Sequence, residues 1–204
     1  TIIDPATGQV KADAQAAWNE KWMDALQRDN AMRHEHQLSI NGGTDKTKYM
    51  FSLGYLNEDG ILVTTGFQRY NARANVMSNI NHWFKANANL SLSNSVQNFS
   101  DYSGSSTSNV WYSAQFVSPL FPVYIKDLQG KDVLDEFGNR QLDYGEQGRP
   151  GSYNDYNPLG GLLDDIADVK NDVASIRTGM TFGSDEESMG IFQGLKLALN
   201  FGAD

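Results

Sequence analysis

Strict two-residue alternation is the feature that most narrows what this sequence can fold into. Over residues 49–55 the odd positions are Tyr49, Phe51, Leu53 and Tyr55, and the residues between them are Met50, Ser52 and Gly54. Over 84–97 the even positions begin Phe84, Ala86, Ala88, Leu90 and Leu92, against Lys85, Asn87, Asn89, Ser91 and Ser93. Successive side chains of a strand point to opposite faces, so each such segment is a strand with one apolar and one polar face. The same pattern places further strands at 69–79, 174–182 and 195–202, with a shorter one at 37–41. The expectation is an all-β chain of about six antiparallel strands.

Alternation of this kind also occurs in soluble sandwiches, where one face packs on a core. Two features favour a membrane β-barrel. Aromatic residues end the apolar faces (Tyr49, Tyr55, Tyr70, Trp83 with Phe84, Phe201), as in barrel girdles, while the other faces carry Arg69, Arg73, Lys85 and many Asn. The connections also alternate in length: 42–46 and 78–82 are tight, 57–67 is longer, and 99–172 is very long. Short turns on one side and long loops on the other is the arrangement of periplasmic turns and extracellular loops. An arginine on the lipid side near mid-membrane costs about 2–4 kcal/mol, which puts Arg69 and Arg73 on the lumen face, with Lys85. About six strands fall short of the roughly eight that the smallest barrels need, so both edge strands should lack partners within this stretch.

Composition then removes several function classes. The chain has 204 residues, no Cys, three His, and 16 basic against 25 acidic residues. That excludes disulfide scaffolds, thiolate zinc sites and cysteine nucleophiles. A net charge of −9 speaks against nucleic-acid binding, which needs clustered Lys and Arg on phosphates. No apolar run approaches the roughly 18 residues of a membrane helix. The resulting plan is an extracellular loop with a short helix over 1–36, barrel strands over 37–98, a long extracellular loop over 99–172, and barrel strands over 173–204. The helix is expected at 13–28, where Trp18, Trp22, Ala25 and Leu26 recur at helical spacing. With no signal peptide at Thr1 and no clear stop at Asp204, the sequence reads as an excerpt of a longer chain.

Several runs then become familiar. They are His36-Gln37-Leu38-Ser39-Ile40-Asn41-Gly42-Gly43 and Ser52-Leu53-Gly54-Tyr55-Leu56-Asn57-Glu58-Asp59-Gly60. Gly66-Phe67-Gln68-Arg69-Tyr70-Asn71-Ala72-Arg73-Ala74-Asn75 follows, then Asn157-Pro158-Leu159 and Gly194-Leu195-Lys196. In order and spacing this resembles the SusC/RagA family of TonB-dependent outer-membrane transporters. The resemblance implies a large plugged barrel in the cell outer membrane that imports oligosaccharides or peptides. It implies a SusD-like surface lipoprotein as partner, TonB acting through a plug region, and neither enzymatic activity nor a cofactor. The family's plug, TonB-contacting segment and final strand are not in these residues, and Asp185-Glu186-Glu187 lengthens a turn that is usually tight.

Sharper chemical readings are weaker than their plain counterparts. His34 and His36 share a strand face, but no third ligand has metal-site spacing, so no metal is expected. The acid pairs Glu58-Asp59, Asp135-Glu136 and Asp164-Asp165 project apart and read as solvated residues. Asp132, Asp135, Glu136 and Asn139 read as a hairpin turn at Gly138-Asn139 rather than a calcium loop. Among the loop aromatics, Phe116 and Phe121 are expected to pack, whereas Trp111, Tyr153 and Tyr156 are candidates for ligand or partner binding. The competing assignments are a soluble β-rich carbohydrate-binding module, with tight loops on both sides and no lipid-facing bands, and a secreted glycosidase, which needs two carboxylates about 5–9.5 Å apart.

Overall fold

A computed structural model describes residues 3–15, 19–99, 109–145, 156–164, 167–183 and 193–204. Among these residues six strands form one open antiparallel sheet in sequence order: β1 Arg33–Gly43, β2 Thr47–Asp59, β3 Gly66–Asn81, β4 Phe84–Phe99, β5 Ala167–Phe182 and β6 Leu197–Ala203. β1 and β6 are its edges. Among the same residues three short helices accompany them, α1 Trp22–Leu26, α2 Val110–Phe116 and α3 Pro158–Asp164. The chain divides into two compact units, one of residues 1–29, 61–64 and 100–167, the other of 30–60, 65–99 and 168–204.

In the sheet unit, β1 and β2 are joined through residues 44–46, where the Thr44 hydroxyl accepts from the Lys46 and Thr47 amides at 3.3 and 3.2 Å. β3 and β4 are joined by His82 and Trp83 alone, with Asn81 Oδ1 accepting from the Trp83 amide at 3.0 Å and a bulge at Asn79/Asn81 absorbing the extra twist. Registers run Leu38↔Leu53, Leu53↔Ala72 and Ala72↔Leu92, so apolar residues meet apolar residues across the sheet. The pairs Asn98 with Asp168, Asn94 with Asp172, and the stacked rings of Phe84 and Phe182 carry the same antiparallel register on to β5.

Most strands are longer than alternation predicts. β1 begins at Arg33, inside the segment expected to be loop, and β5 begins at Ala167, well before the expected end of the long loop at 172. The added ends carry Arg33, Glu35, Glu58, Asp168 and Asp172. Where both faces meet water there is no hydropathy contrast, so the period-two signal vanishes while the backbone ladder continues.

The other unit has the compact core: Trp22, Leu26, Leu62, Val110, Ala114, Val117, Val123, Leu159 and Leu162. The helix expected over 13–28 is confined, among the described residues, to Trp22–Leu26. Trp22 and Leu26 do face the core at i, i+4 spacing. Ahead of them the Glu20 amide donates to the Pro119 carbonyl at 2.8 Å, a long-range bond that displaces a helical one. Trp22 Nε1 donates to the Phe121 carbonyl at 3.1 Å. Asn157 is 1% exposed and holds this unit together. Its Nδ2 donates to the carbonyls of Val123 and Asp143, both at 2.9 Å, and its Oδ1 accepts from the amides of Leu159 at 2.9 Å and Gly160 at 3.2 Å. That is an N-cap on α3 with Pro158 at the first helical position, which gives Asn157-Pro158-Leu159 a structural reason.

Candidate functional site

The sheet is shielded the wrong way round for water. Along β4, Asn87, Asn89, Ser91, Ser93 and Ser95 are half-buried, whereas Ala88, Leu90, Leu92 and Asn94 between them are exposed. On β1 and β2, Leu38 and Leu53 are 60% and 59% exposed, while Ser52 on the opposite face is 8% exposed. In a curved single-layer sheet, side chains on the concave face converge and cover one another. The polar face is therefore the concave one, as on the inside of a barrel wall. The apolar face is far larger than the isolated apolar patches of a soluble monomer.

Aromatic residues bound that apolar face at both ends. Tyr55 and Tyr70 lie side by side with ring centroids 4.8 Å apart at one end, beside His34 and His36. The two imidazoles are 5.5 Å apart and border Tyr55, and among the described residues no cluster of three metal-ligating side chains occurs. At the other end Trp83, Phe84 and Phe182 form a cluster with centroids 4.7 to 6.1 Å apart. From Phe84 to Leu92 is about 27 Å of strand, or about 21 Å of depth at a 40° tilt, close to the roughly 25 Å apolar band of such barrels. The apolar block also slides along the sheet. Its limits move from Tyr55 and Tyr49 on β2 to Ala174 and Phe182 on β5, a mean drift of about one residue per strand, against about 1.2 for strands tilted at 40°. Only a tilted strand needs that drift to keep its apolar residues at constant depth.

The polar face holds all three cations that the alternation assigned to it. Arg69 pairs across the ladder with Ser95, Arg73 with Ser91, and Lys85 with Asn79. Lys85 is ten residues down β4 from Ser95, about 34 Å away, so the structure does not bring it to the arginines. Arg69 and Arg73 border a hollow of about 250 Å³ with Gln37, Asn71, Ser91 and Ser93. A broader hollow of about 980 Å³ lies against Leu38, Leu53, Tyr55, Tyr70 and Leu92, all on the apolar face.

In the helical unit, α2 turns Val110, Ser113 and Ala114 inward, its C-cap Val117 is buried too, and Trp111, Tyr112 and Phe116 are left 38%, 42% and 57% exposed. The Tyr112 and Phe116 rings lie 4.4 Å apart, tilted by 35°. Phe121 packs against the core as expected, but Phe116 does not, because it falls on the outer face of α2. Tyr112 was missed in the sequence, although its i, i+4 relation to Phe116 is readable once the helix is known. Tyr156 is half-buried, its hydroxyl 3.6 Å from where a Cβ on Gly161 would lie, and Tyr153 lies outside the described residues. The insert at 185–187 lies outside them too.

Two turns of this unit repeat one design. Asp127 Oδ1 accepts from the Gln129 and Lys131 amides at 2.9 Å each, and Asp135 Oδ1 from those of Phe137 and Asn139 at 2.9 and 2.8 Å. Gly130 and Gly138 supply positive φ of 79° and 83°. Bonding from the Asn139 amide, with lesser help from its side chain and from Phe137 and Gly138, holds the Asp135 carboxyl below the ordinary carboxylate range. Three of its acceptor positions are used within its own turn, the geometry of a hairpin. Lys126 lies between Asp132 at 2.7 Å and Glu20 at 3.1 Å, and the Asp132 bond chiefly raises its pKa. Burial, and then Asp164, raises that of the Tyr144 hydroxyl.

No family model matches the chain. It is 33% identical over 107 residues to the TonB-dependent receptor SusC of Bacteroides thetaiotaomicron, which covers 52% of this chain and 10% of the receptor. It is 26% identical over 113 residues to TonB-dependent receptor P3 of Formosa agariphila, covering 53% of this chain and 11% of that one. The chain thus spans about a tenth of these relatives. Its fold matches the RagAB peptide importer in the closed-closed state with a TM-score of 0.57 at 20% identity, over 90% of this chain and 18% of that one. A second RagAB peptide transporter structure matches with a TM-score of 0.55 at 19% identity, over 83% and 20%. The chain is therefore SusC-like in sequence over about half its length and RagAB-like in fold, and the relatives it matches are receptors and transporters rather than enzymes.

Proposed function

We propose that this chain is a stretch of barrel wall in a TonB-dependent outer-membrane importer of oligosaccharides or peptides that works with a SusD-like lipoprotein. The observation that carries the proposal is the inverted shielding of the sheet. Exposed Leu38, Phe51, Leu90 and Ile176 form a face that water penalises and lipid tails do not, while a shielded face of Ser, Asn and Arg suits an aqueous solute path. A soluble carbohydrate-binding module would instead cover its apolar face with a second layer. On this reading Arg69, Arg73 and Lys85 face the lumen, and the long loop lies outside, on the side from which solute and lipoprotein arrive. There Trp111, flanked by Tyr112 and Phe116, offers rigid aromatic area of the kind that anchors binding at small entropic cost. Tyr156 and Tyr153 belong to the same loop, Tyr156 supporting it from within.

Because these residues include no cysteine, single cysteines can read the two faces. In the intact transporter in cells, a membrane-impermeant maleimide should label Ser91→Cys and Asn75→Cys while leaving Leu90→Cys and Ala74→Cys unlabelled. Equal labelling of adjacent positions would refute the assignment. Trp111→Ala should reduce uptake or lipoprotein association at unchanged surface abundance.

A further inference from the structure

We propose that Arg69 and Arg73 form a carboxylate-binding subsite on the polar face. Among the described residues these two arginines alone lack a partner: Arg33 bonds Glu35 and Glu58, Arg140 lies over the Tyr124 ring, Arg177 pairs with Asp204, and Arg28 is engaged. Arg69 Nε is buried with no acceptor. A donor in that position loses water without gaining a bond, so the guanidinium that carries it favours an anionic oxygen at the nitrogens that remain accessible. The guanidinium fork matches a carboxylate in two parallel bonds.

The surroundings complete the site. Arg69 and Arg73 flank Asn71 on one side of β3, with Arg73 one ladder row, about 7 Å, beyond Asn71. The hollow they border, about 250 Å³, has room for a carboxylate and a few carbons, and Gln37, Asn71, Ser91 and Ser93 supply uncharged hydrogen-bonding groups. Gly54 lets the Asn71 amide sit close over β2, since a Cβ there would lie 2.5 Å from Asn71 Oδ1 and push this lining group aside. Glu35 is at the rim, but its carboxylate is held by Arg33 at 3.0 Å and does not fill the site. In a chain of net charge −9, two unneutralised guanidiniums in a shielded hollow are a local exception that draws anions. The inference rests on the polar face bounding water. It adds that the solute binding there carries a carboxylate, whether of an acidic sugar or of an acidic peptide side chain.

The test uses the intact parent transporter in detergent, titrated calorimetrically at low salt with glutarate, galacturonate and neutral galactose. Glutarate stands for the peptide acid and galacturonate for the sugar acid. Binding of either anion without galactose supports the subsite, and their relative affinity identifies the source. Arg69→Met and Arg73→Met should each weaken binding at least tenfold, and Arg69→Lys, which keeps charge but loses the fork, by less. Gly54→Ala should weaken it severalfold with both charges intact, and carries the test if a methionine variant fails to fold. Silence of the wild type towards both anions, or unchanged affinity in the double methionine variant, overturns the proposal. So does a fall in thermal stability of Arg69→Met without any anion binding, which would assign the arginine to an internal carboxylate. Labelling of Ser93→Cys by an impermeant maleimide separates these failures, because it reports the aqueous face whether or not an anion binds.

Discussion

Leu90→Arg is the perturbation that most directly tests which solvent the apolar face meets. Leu90 pairs with Ala74 across the ladder, and on β4 it lies six residues from Phe84 and four from Asn94, the ladder partner of Tyr70. Those separations are about 20 and 14 Å of strand, or about 16 and 10 Å of depth at a 40° tilt, which places Leu90 near the middle of the band. An arginine there should cost about 2–4 kcal/mol of insertion, a roughly 30- to 900-fold shift in the folding equilibrium. Ser39→Arg is the control, because Ser39 pairs with Ser52 on the polar face, where charge stays hydrated. Urea titration of the intact transporter refolded into lipid vesicles, followed by heat-modifiable mobility on gels, measures both variants. Loss of insertion in Leu90→Arg with near wild-type behaviour in Ser39→Arg is expected. If Leu90→Arg inserts normally, or if both variants fail alike, the face assignment is wrong.

Removing the Asn157 side chain orphans two buried carbonyls and uncaps α3, so Asn157→Ala should destabilise the helical unit by about 3 kcal/mol. Hydrogen exchange should then rise by roughly 150-fold in 109–125 and 156–164 and stay unchanged in β3 and β4; uniform loosening would contradict the two-unit division. Because the Asp135 carboxyl is held below its ordinary value, its contribution to the turn is complete above about pH 3.9 and is lost only as pH falls through the lower folded value. Exchange of the peptide 131–141, corrected for intrinsic rates, should therefore keep its protection down to that range, and opening already at pH 5 would refute the cause given.

Sequence alone determined the parts of this protein that one residue and its second neighbour can report. Leu38, Phe51, Leu90 and Ile176 alternate with polar residues because the two faces of one strand meet different surroundings, and that contrast is written locally. That the connections near 42–46 and 78–82 are tight was legible for the same reason, although strand pairing runs on to Gly43 and Asn81 and leaves only 44–46 and 82–83 as turn, and the shared face of Arg69, Arg73 and Lys85 was legible too. Where Arg33, Glu58, Asp168 and Asp172 extend the strands, both faces are wet, and only the hydrogen-bonded neighbour strand decides that the backbone stays extended. The helix expected over 13–28 shrank to Trp22–Leu26 because the preceding backbone bonds to Pro119, about a hundred residues away, and local propensity does not encode that bond. Phe116 lies outside and Tyr156 is half-buried for a similar reason: in a loop without periodicity, the side a residue shows is set by what packs behind it. The pairing of Arg69 and Arg73 around one hollow also needed the fold. The spacing placed them on one side of a strand, but the curvature that shields them and the close seat of Asn71 over Gly54 arise only when β1 to β4 assemble.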